Sequence, residues 1–102
     1  MKTYDKASWH IDGGENESDV ITRFREVFTF LVDKKMLSAE GMETLEFGMD
    51  SSVSLNSNMV TAEGAAFLDA YYDIVLGQDP KDTAQNLQIA YEKYLGKEQK
   101  ST

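Results

Sequence analysis

The sequence predicts a mainly helical domain with a small N-terminal β element. Apolar residues recur at helical spacing in four segments, helix-capping residues stand where these segments begin, and a short segment near the N-terminus alternates between apolar and polar residues. A chain of 102 residues, 41% hydrophobic and 27% charged, has the size and composition of one globular domain. We therefore expect residues 1–102 to form a single domain with helices over about 19–35, 39–47, 62–76 and 80–95.

The expected β element lies over residues 7–11. Apolar and polar residues alternate there in the order Ala-Ser-Trp-His-Ile, which is the period of a half-buried strand. Valine and leucine alternate with serines over residues 52–55, so a second short strand could form there and pair with the first. Two glycines and five polar residues over 12–18 predict a loop between the first strand and the first helix.

The helix over residues 19–35 has the strongest apolar pattern in the chain. Ser18 or Asp19 can cap its start, and Lys34 and Lys35 would lie in its last turn, where the helix dipole favours cations. The apolar stripe of this helix consists of Val20, Ile21, Phe24, Val27, Phe28, Leu31 and Val32.

The second helix, over residues 39–47, is bounded by two typical end residues. Ser38 is a good N-cap, and Gly48 is a good residue just past the end. We expect the apolar side of this helix to consist of Met42, Leu45 and Phe47.

The third helix, over residues 62–76, follows Thr61 as N-cap and precedes Gly77. Apolar residues cover most of its circumference, which is typical of a central, buried helix. One strip of the helix is expected to face solvent, and it consists of Ala62, Ala66, Asp69 and Asp73.

The fourth helix, over residues 80–95, opens with Asp79 as N-cap and with Pro80 at the first helical position, where no backbone donor is needed. Gly96 is expected to end it and to leave residues 97–102 as a disordered tail. Four residues from three of the helices are expected in the core: Phe24, Phe28, Leu68 and Tyr91.

Two helix starts in the chain share the pattern of hydroxyl, alanine, glutamate and glycine, at residues 38–41 and 61–64. The shared hydroxyl and acidic residue are simply favourable at a helix start. The glycines are unfavourable there, because glycine in a helix costs up to about 1 kcal/mol relative to alanine. Close approach of another backbone segment at Gly41 and Gly64 would explain them.

The net charge of −8 is concentrated in one block of the chain. Residues 36–80 contain eight carboxylates and no lysine or arginine, so this block alone carries a charge of −8. Such a field attracts cationic surfaces and repels the phosphates of nucleic acids. We therefore expect a basic protein partner and no nucleic acid, although solubility alone is the competing explanation.

Few residues in the chain are typical of catalytic or metal sites. His10 is the only histidine and there is no cysteine, so we expect no disulfide, no metal site and no cofactor. Trial calcium loops that start at Asp12 and Asp50 lack the glutamate required at the twelfth position. Trp9 and His10, with nearby carboxylates, are the residues of an alternative ligand site or catalytic site. A structural role for His10 is the simpler interpretation.

Several motifs of the sequence resemble those of a known family. These are Tyr4-Asp5-Lys6-Ala7-Ser8-Trp9-His10, Phe30-Leu31-Val32, Met36-Leu37-Ser38-x-Glu40 and Thr61-x-Glu63-Gly64-x-x-Phe67 followed by Tyr71-Tyr72. Together they resemble a domain-of-unknown-function family of small, uncharacterised bacterial proteins, although the loop after His10 is shorter here and has no proline. The resemblance implies a stand-alone bacterial cytoplasmic protein. Some relatives resemble antitoxin or immunity proteins, and no catalytic residue follows from the resemblance.

Three hypotheses of function follow. The first is a non-catalytic, immunity-like binding module whose acidic surface masks a basic protein. The second is a small-ligand binder or enzyme built around Trp9 and His10, and the third is a structural homo-oligomer. For the first hypothesis, the expected partner-binding residues are Glu40, Glu43, Glu46, Asp69 and Asp73.

The expected location of the protein is the cytoplasm. No apolar stretch follows the first residues as in a secretory signal, and no apolar run approaches the roughly 18 residues of a membrane-spanning helix. We therefore expect no membrane partner.

Overall fold

A computed structural model describes residues 2–76 and 82–100 of the chain. Within these residues the structure is mainly helical with one small two-stranded antiparallel sheet, which confirms the predicted fold class. None of the helices described there combines the length and the apolar character needed to cross a membrane. In chain order the elements are β1 (Thr3–Lys6), α1 (Ala7–Asp12), α2 (Glu17–Asp33), α3 (Ala39–Phe47), β2 (Ser54–Asn56), α4 (Ala62–Leu76) and α5 (Thr83–Lys100).

The N-terminal strand is β1, so the predicted placement of a strand over residues 7–11 is wrong. Those residues form α1, and β1 pairs with β2, which overlaps the predicted segment 52–55. A helical turn puts Ala7 and His10 on the same side of the chain, whereas a strand would put them on opposite sides. Ala7 is fully buried and His10 reaches the carboxylate of Asp5 as a result.

α2 begins two residues before its predicted start. Asn16 is the N-cap, rather than Ser18 or Asp19, and its side-chain oxygen accepts a hydrogen bond from the backbone amide of Asp19 over 3.2 Å. Asparagine is as good an N-cap as serine or aspartate. Glu17 and Asp19 then both lie in the first turn, where the helix dipole favours negative charge.

α2 also ends two residues before its predicted end, at Asp33. Lys34 is the C-cap, and Lys35 has a φ angle of 60°, in the left-handed region. This turn reverses the chain, and the amide of Met36 donates a hydrogen bond to the carbonyl of Leu31 over 2.7 Å. As a result, Met36 is fully buried in the core directly after the helix.

α3 has the predicted bounds and the predicted cap. The hydroxyl of Ser38 accepts a hydrogen bond from the amide of Gly41 over 3.2 Å, and Gly48 lies just past the end with a φ angle of 88°. The amide of Ser38 donates to the carbonyl of Met59 over 2.9 Å, which fixes the start of the helix against the segment before α4. A Cβ atom on Gly41 would overlap that carbonyl oxygen.

The start of α4 has the same construction. The hydroxyl of Thr61 accepts a hydrogen bond from the amide of Gly64 over 3.1 Å, and the amide of Thr61 donates to the carbonyl of Met36 over 2.8 Å. A Cβ atom on Gly64 would lie 2.5 Å from that carbonyl oxygen. The expected close backbone approach at both glycines is therefore confirmed.

The core lies between α2, α4, α5 and the sheet. Of the four predicted core residues, Phe24, Phe28 and Leu68 are buried, whereas Tyr91 is only partly buried against the core. The solvent-facing strip predicted on the third helix is confirmed, since all of its members are exposed: Ala62, Ala66, Asp69 and Asp73.

α5 continues to Lys100, so the predicted helix end at Gly96 is wrong. A single glycine costs about 1 kcal/mol in a helix and does not by itself end one, and the residues after Gly96 are good helix formers. The predicted start at Asp79 and Pro80 lies outside the described residues, as do residues 101 and 102 of the predicted tail.

Candidate functional site

All members of the predicted acidic surface are exposed. Three lie on α3 and two lie on α4, and they are Glu40, Glu43, Glu46, Asp69 and Asp73. The three glutamates form no ion pair with any side chain that the structure describes. Their negative charge is therefore available to a partner.

Asp69 is paired with a lysine from outside the acidic block. Lys2 Nζ donates a hydrogen bond to Asp69 Oδ1 over 2.7 Å, and this bond holds the pKa of Asp69 below its usual range. The sheet places Lys2 next to α4, although 67 positions separate the two residues in the chain. Residues 36–80 contain no lysine or arginine, but the fold brings Lys2 from outside this block into contact with Asp69.

One face of α3 lines an open groove of about 400 Å³. Glu40, Glu43, Thr44 and Phe47 are spaced three or four residues apart, so they share that face. The rest of the lining comes mainly from the chain that follows the helix, with Met49, Asp50, Val53 and Met59. We name this feature the α3 groove. Glu46 lies on α3 outside the groove lining.

Asp50 adds a third carboxylate to the α3 groove. Its side chain accepts hydrogen bonds from the hydroxyl and the backbone amide of Ser52, the latter over 2.8 Å. The hydrogen bond from the hydroxyl holds the pKa of Asp50 below its usual range, so the group stays charged well into the acidic range. Asp50 belongs to the acidic block of residues 36–80, but it was not predicted among the partner-binding residues.

Phe47 is the most exposed large apolar side chain described, at 84% of its full accessible area. Phe47 and Met42, which were predicted on the apolar side of the helix, therefore do not pack into the core, since Met42 is also 47% exposed. α3 is only nine residues long, and its inner side is occupied by Gly41 and the partly buried Leu45. Aromatic side chains are enriched at protein interfaces relative to the rest of the surface, so Phe47 is a candidate contact residue.

His10 lies in a hydrogen-bonded network with side chains from several other elements of the fold. Nε2 of His10 lies 2.8 Å from Asp5 Oδ1, and Nδ1 lies 2.9 Å from Glu15 Oε2. The phenol of Tyr72 donates to Asp5 Oδ2 over 2.7 Å, and Arg23 donates to Glu15 Oε1 over 2.9 Å. The network joins β1, α1, α2, α4 and the loop before α2.

Both ring nitrogens of His10 face carboxylate oxygens. A ring nitrogen that carries a proton can donate it to the carboxylate it faces, because ionised carboxylates only accept hydrogen bonds. Asp5 is 4% exposed, accepts hydrogen bonds from the phenol of Tyr72 and the backbone amide of Lys6, and lies against Nε2 of His10. Burial is the main reason why the pKa of Tyr72 is raised far above its usual range, and the negative charge of Asp5 adds to the effect.

Only one of the two residues of the alternative ligand site lines the small cavity beside Asp5. His10 lines an internal cavity of about 20 Å³ together with Asp5, Arg23 and Tyr72, which is room for about one water molecule. Trp9 does not line this cavity. It is 55% exposed, and Lys6 Nζ lies 5.8 Å from the centre of its ring.

A second open groove, of about 550 Å³, lies between α2 and α5. Phe30, Ala84 and Leu87 contribute apolar surface to it, and Arg25 and Glu26 contribute charges of both signs. For the homo-oligomer hypothesis, this groove is a candidate contact surface between copies of the chain.

Comparisons with protein-family models, with curated proteins and with solved structures give no match. The resemblance to a bacterial family therefore stays a prediction from the motifs quoted above. Among the side chains described, no three of histidine, aspartate or glutamate are grouped so as to hold a metal ion.

Proposed function

We propose that this protein is a non-catalytic binding module that presents an acidic surface to a basic protein partner. The observation that carries the proposal is the exposure of Glu40, Glu43 and Glu46 on one short helix, without an ion-pair partner among the described side chains. Like charges three or four residues apart on a helix repel each other and destabilise it slightly. A cationic partner would remove that repulsion.

The distribution of charge supports the same proposal. The block from residue 36 to residue 80 carries the whole net charge of the chain, and α3 lies within it. A surface of one sign steers an oppositely charged partner and accelerates association at low salt. The same surface would repel a nucleic acid.

The surroundings of His10 support a structural role for this residue rather than a catalytic one. Both ring nitrogens face carboxylates, and the adjoining cavity is too small for a substrate. General acid–base catalysis requires a group within hydrogen-bond reach of the reacting atom. A ligand site formed by Trp9 and His10 is therefore the weaker alternative.

The cellular setting is also part of the proposal. The resemblance of the motifs at residues 4–10 and 61–72 to a bacterial family supports a cytoplasmic protein of bacterial origin with an immunity-like role. In such a role the acidic surface would mask a basic surface of the partner.

The proposal is tested by affinity capture from a lysate of the native cell. Wild type is compared with a Glu43→Lys/Asp69→Lys variant and with a matched Asp12→Lys/Glu92→Lys control, whose exposed carboxylates lie outside residues 36–80. We expect wild type and the control to capture the same basic protein, and we expect salt to release it between about 50 and 500 mM as charges are screened. Capture that survives both charge reversal and salt, or the absence of any basic protein from the wild-type eluate, would contradict the proposal.

A further inference from the structure

We propose that the α3 groove receives a short segment of the partner protein in which a lysine or arginine stands beside an apolar side chain. The inference rests on the proposed function and adds to it a place on the surface and a chemistry of the recognised segment. It requires two independent properties of the groove, a negative rim and an apolar wall.

The negative rim consists of Glu40, Glu43 and Asp50. Glu40 and Glu43 project from the same face of α3, and Asp50 reaches the groove from the chain beyond Gly48. A cation inside the groove would therefore meet carboxylates from both α3 and the following segment. Charge-assisted hydrogen bonds of this kind are stronger than neutral ones, and an arginine can form two at once with one carboxylate.

The apolar wall consists of Phe47, Met49, Val53 and Met59. The ring of Phe47 is almost completely exposed and can pack either on an aliphatic side chain or against a cation. Methionine side chains are flexible and fill irregular gaps, which suits a surface that closes over an incoming segment. A purely acidic surface would attract cations without this apolar contact.

The form of the groove favours a segment of a protein over a small molecule. Its volume of about 400 Å³ lies within the range of ligand sites, but it is an open groove rather than an enclosed cavity. A second copy of this chain is the weaker occupant, because two chains that each carry a net charge of −8 repel each other.

The methionines allow a direct test by NMR with ¹³C-labelled methionine methyl groups. Met49 and Met59 line the groove, whereas Met36 is fully buried elsewhere and serves as the internal reference. The probe is a synthetic peptide of about ten residues that contains one leucine with one lysine on each side of it. We expect saturable shifts of the Met49 and Met59 methyl signals and none of the Met36 signal.

Two control peptides separate the two properties of the groove. In one, both lysines are replaced by glutamate, and in the other the leucine is replaced by serine. We expect the first to give no shift and the second to bind about tenfold more weakly than the probe, since the apolar anchor is lost. Equal binding of the serine peptide would overturn the groove proposal and leave the acidic-surface proposal intact.

Variants of α3 provide a matched pair of charge changes. Glu43→Gln removes a carboxylate that lines the groove, and Glu46→Gln removes one on the same helix outside it. We expect Glu43→Gln and Phe47→Ala each to weaken the probe about tenfold, and Glu46→Gln to weaken it less than about threefold. Equal effects of the two glutamine variants would show that only the general field of the surface acts.

Two further outcomes would also overturn the groove proposal. The absence of any saturable Met49 or Met59 shift would do so, even if a basic protein is captured in the experiment on the proposed function. Concentration-dependent shifts of these signals without peptide, together with dimers in analytical ultracentrifugation, would assign the groove to a second copy of the chain.

Discussion

Gly41 lies directly against the carbonyl oxygen of Met59, so close that no side chain fits between them. Gly64 has the same relation to the carbonyl of Met36. Each carbonyl belongs to the residue two positions before the N-cap of the other helix, and between them Leu37 and Val60 form an antiparallel bridge. The start of each helix therefore packs against the segment that precedes the other helix. The contact is so close that only glycine fits at positions 41 and 64.

The first prediction concerns these glycines. Gly41→Ala and Gly64→Ala should each lower the free energy of unfolding by about 1–3 kcal/mol, because the added methyl group meets backbone that cannot move away freely. Gly96→Ala is the matched control: it is also helical and has open space around it, so it should raise the free energy by about 0.5–1 kcal/mol. Urea denaturation measures all three. A gain at residue 41 or 64 similar to that at residue 96 would contradict the close approach.

The second prediction concerns the centre of α4. Leu68 is 1% exposed, so Leu68→Ala should lower the free energy of unfolding by about 2–5 kcal/mol through lost burial and the cavity left behind. Ala66→Gly, on the exposed strip of the same helix, should cost only the helix propensity of about 1 kcal/mol. A loss below about 0.5 kcal/mol for Leu68→Ala would mean that α4 is not a central helix.

The third prediction separates His10 from its neighbour Trp9. His10→Ala removes the hydrogen-bond partner that faces the buried carboxylate of Asp5, so we expect a loss of about 2–3 kcal/mol in stability and unchanged partner binding in the folded protein. Trp9→Ala, at a largely exposed position, should cost less than about 1 kcal/mol. Calorimetry measures the stability and titration with the captured partner measures the binding. Unchanged stability with lost binding in either variant would revive the ligand-site hypothesis.

The fourth prediction concerns alkaline pH and Tyr72. Burial raises the pKa of Tyr72 in the folded state above its unfolded value of 10.0, so the unfolded chain loses the phenol proton first as the pH rises. The stability from this group is complete below pH 10 and falls above it, by about 1.4 kcal/mol for each pH unit. Tyr72→Phe should be less stable at neutral pH, because Asp5 loses a donor, but its stability should fall less steeply between about pH 10 and pH 11. Parallel pH curves for wild type and variant would show that Tyr72 titrates freely when folded.

Local signals in the sequence account for the elements that were predicted well. Ser38 and Gly48 bound α3 as expected, because an N-cap and a residue with positive φ act on the backbone next to them. Gly41 and Gly64 were informative for a related reason. Glycine lowers the stability of a helix locally, so a glycine in the first turn indicates a close contact with another segment that a larger residue would prevent.

The sequence could not show what depends on contacts between distant residues. A period of two over residues 7–11 fits a strand, but the helical turn is favoured there because it brings His10 to Asp5 and Glu15. Tyr72, whose phenol donates to Asp5, is 67 residues away from it in the chain. The placement of acidic residues five positions before and after His10 was the only local signal of this network.

The same limit applies to the candidate site. Exposure of Glu40 and Glu43 follows from their charge, and it was predicted. Exposure of Phe47 does not follow from its apolar side chain, because it depends on which other segments pack against α3. The α3 groove could therefore be recognised only in the structure, although Glu40 and Glu43 on its rim were predicted from the sequence.

The hydrogen bond from the Thr61 amide to the Met36 carbonyl closes residues 36–61 into a loop whose two ends are fixed to each other. The tip of this loop, residues 48–52, lies far in sequence from both fixed ends. The entropy of closing a flexible loop grows only with the logarithm of its length, so lengthening the tip by a few residues would cost less than about 0.6 kcal/mol. Insertions there can reshape one wall of the groove while the helix starts and the core keep their places, which makes the tip a position where recognition can diverge between versions of this protein at little cost in stability.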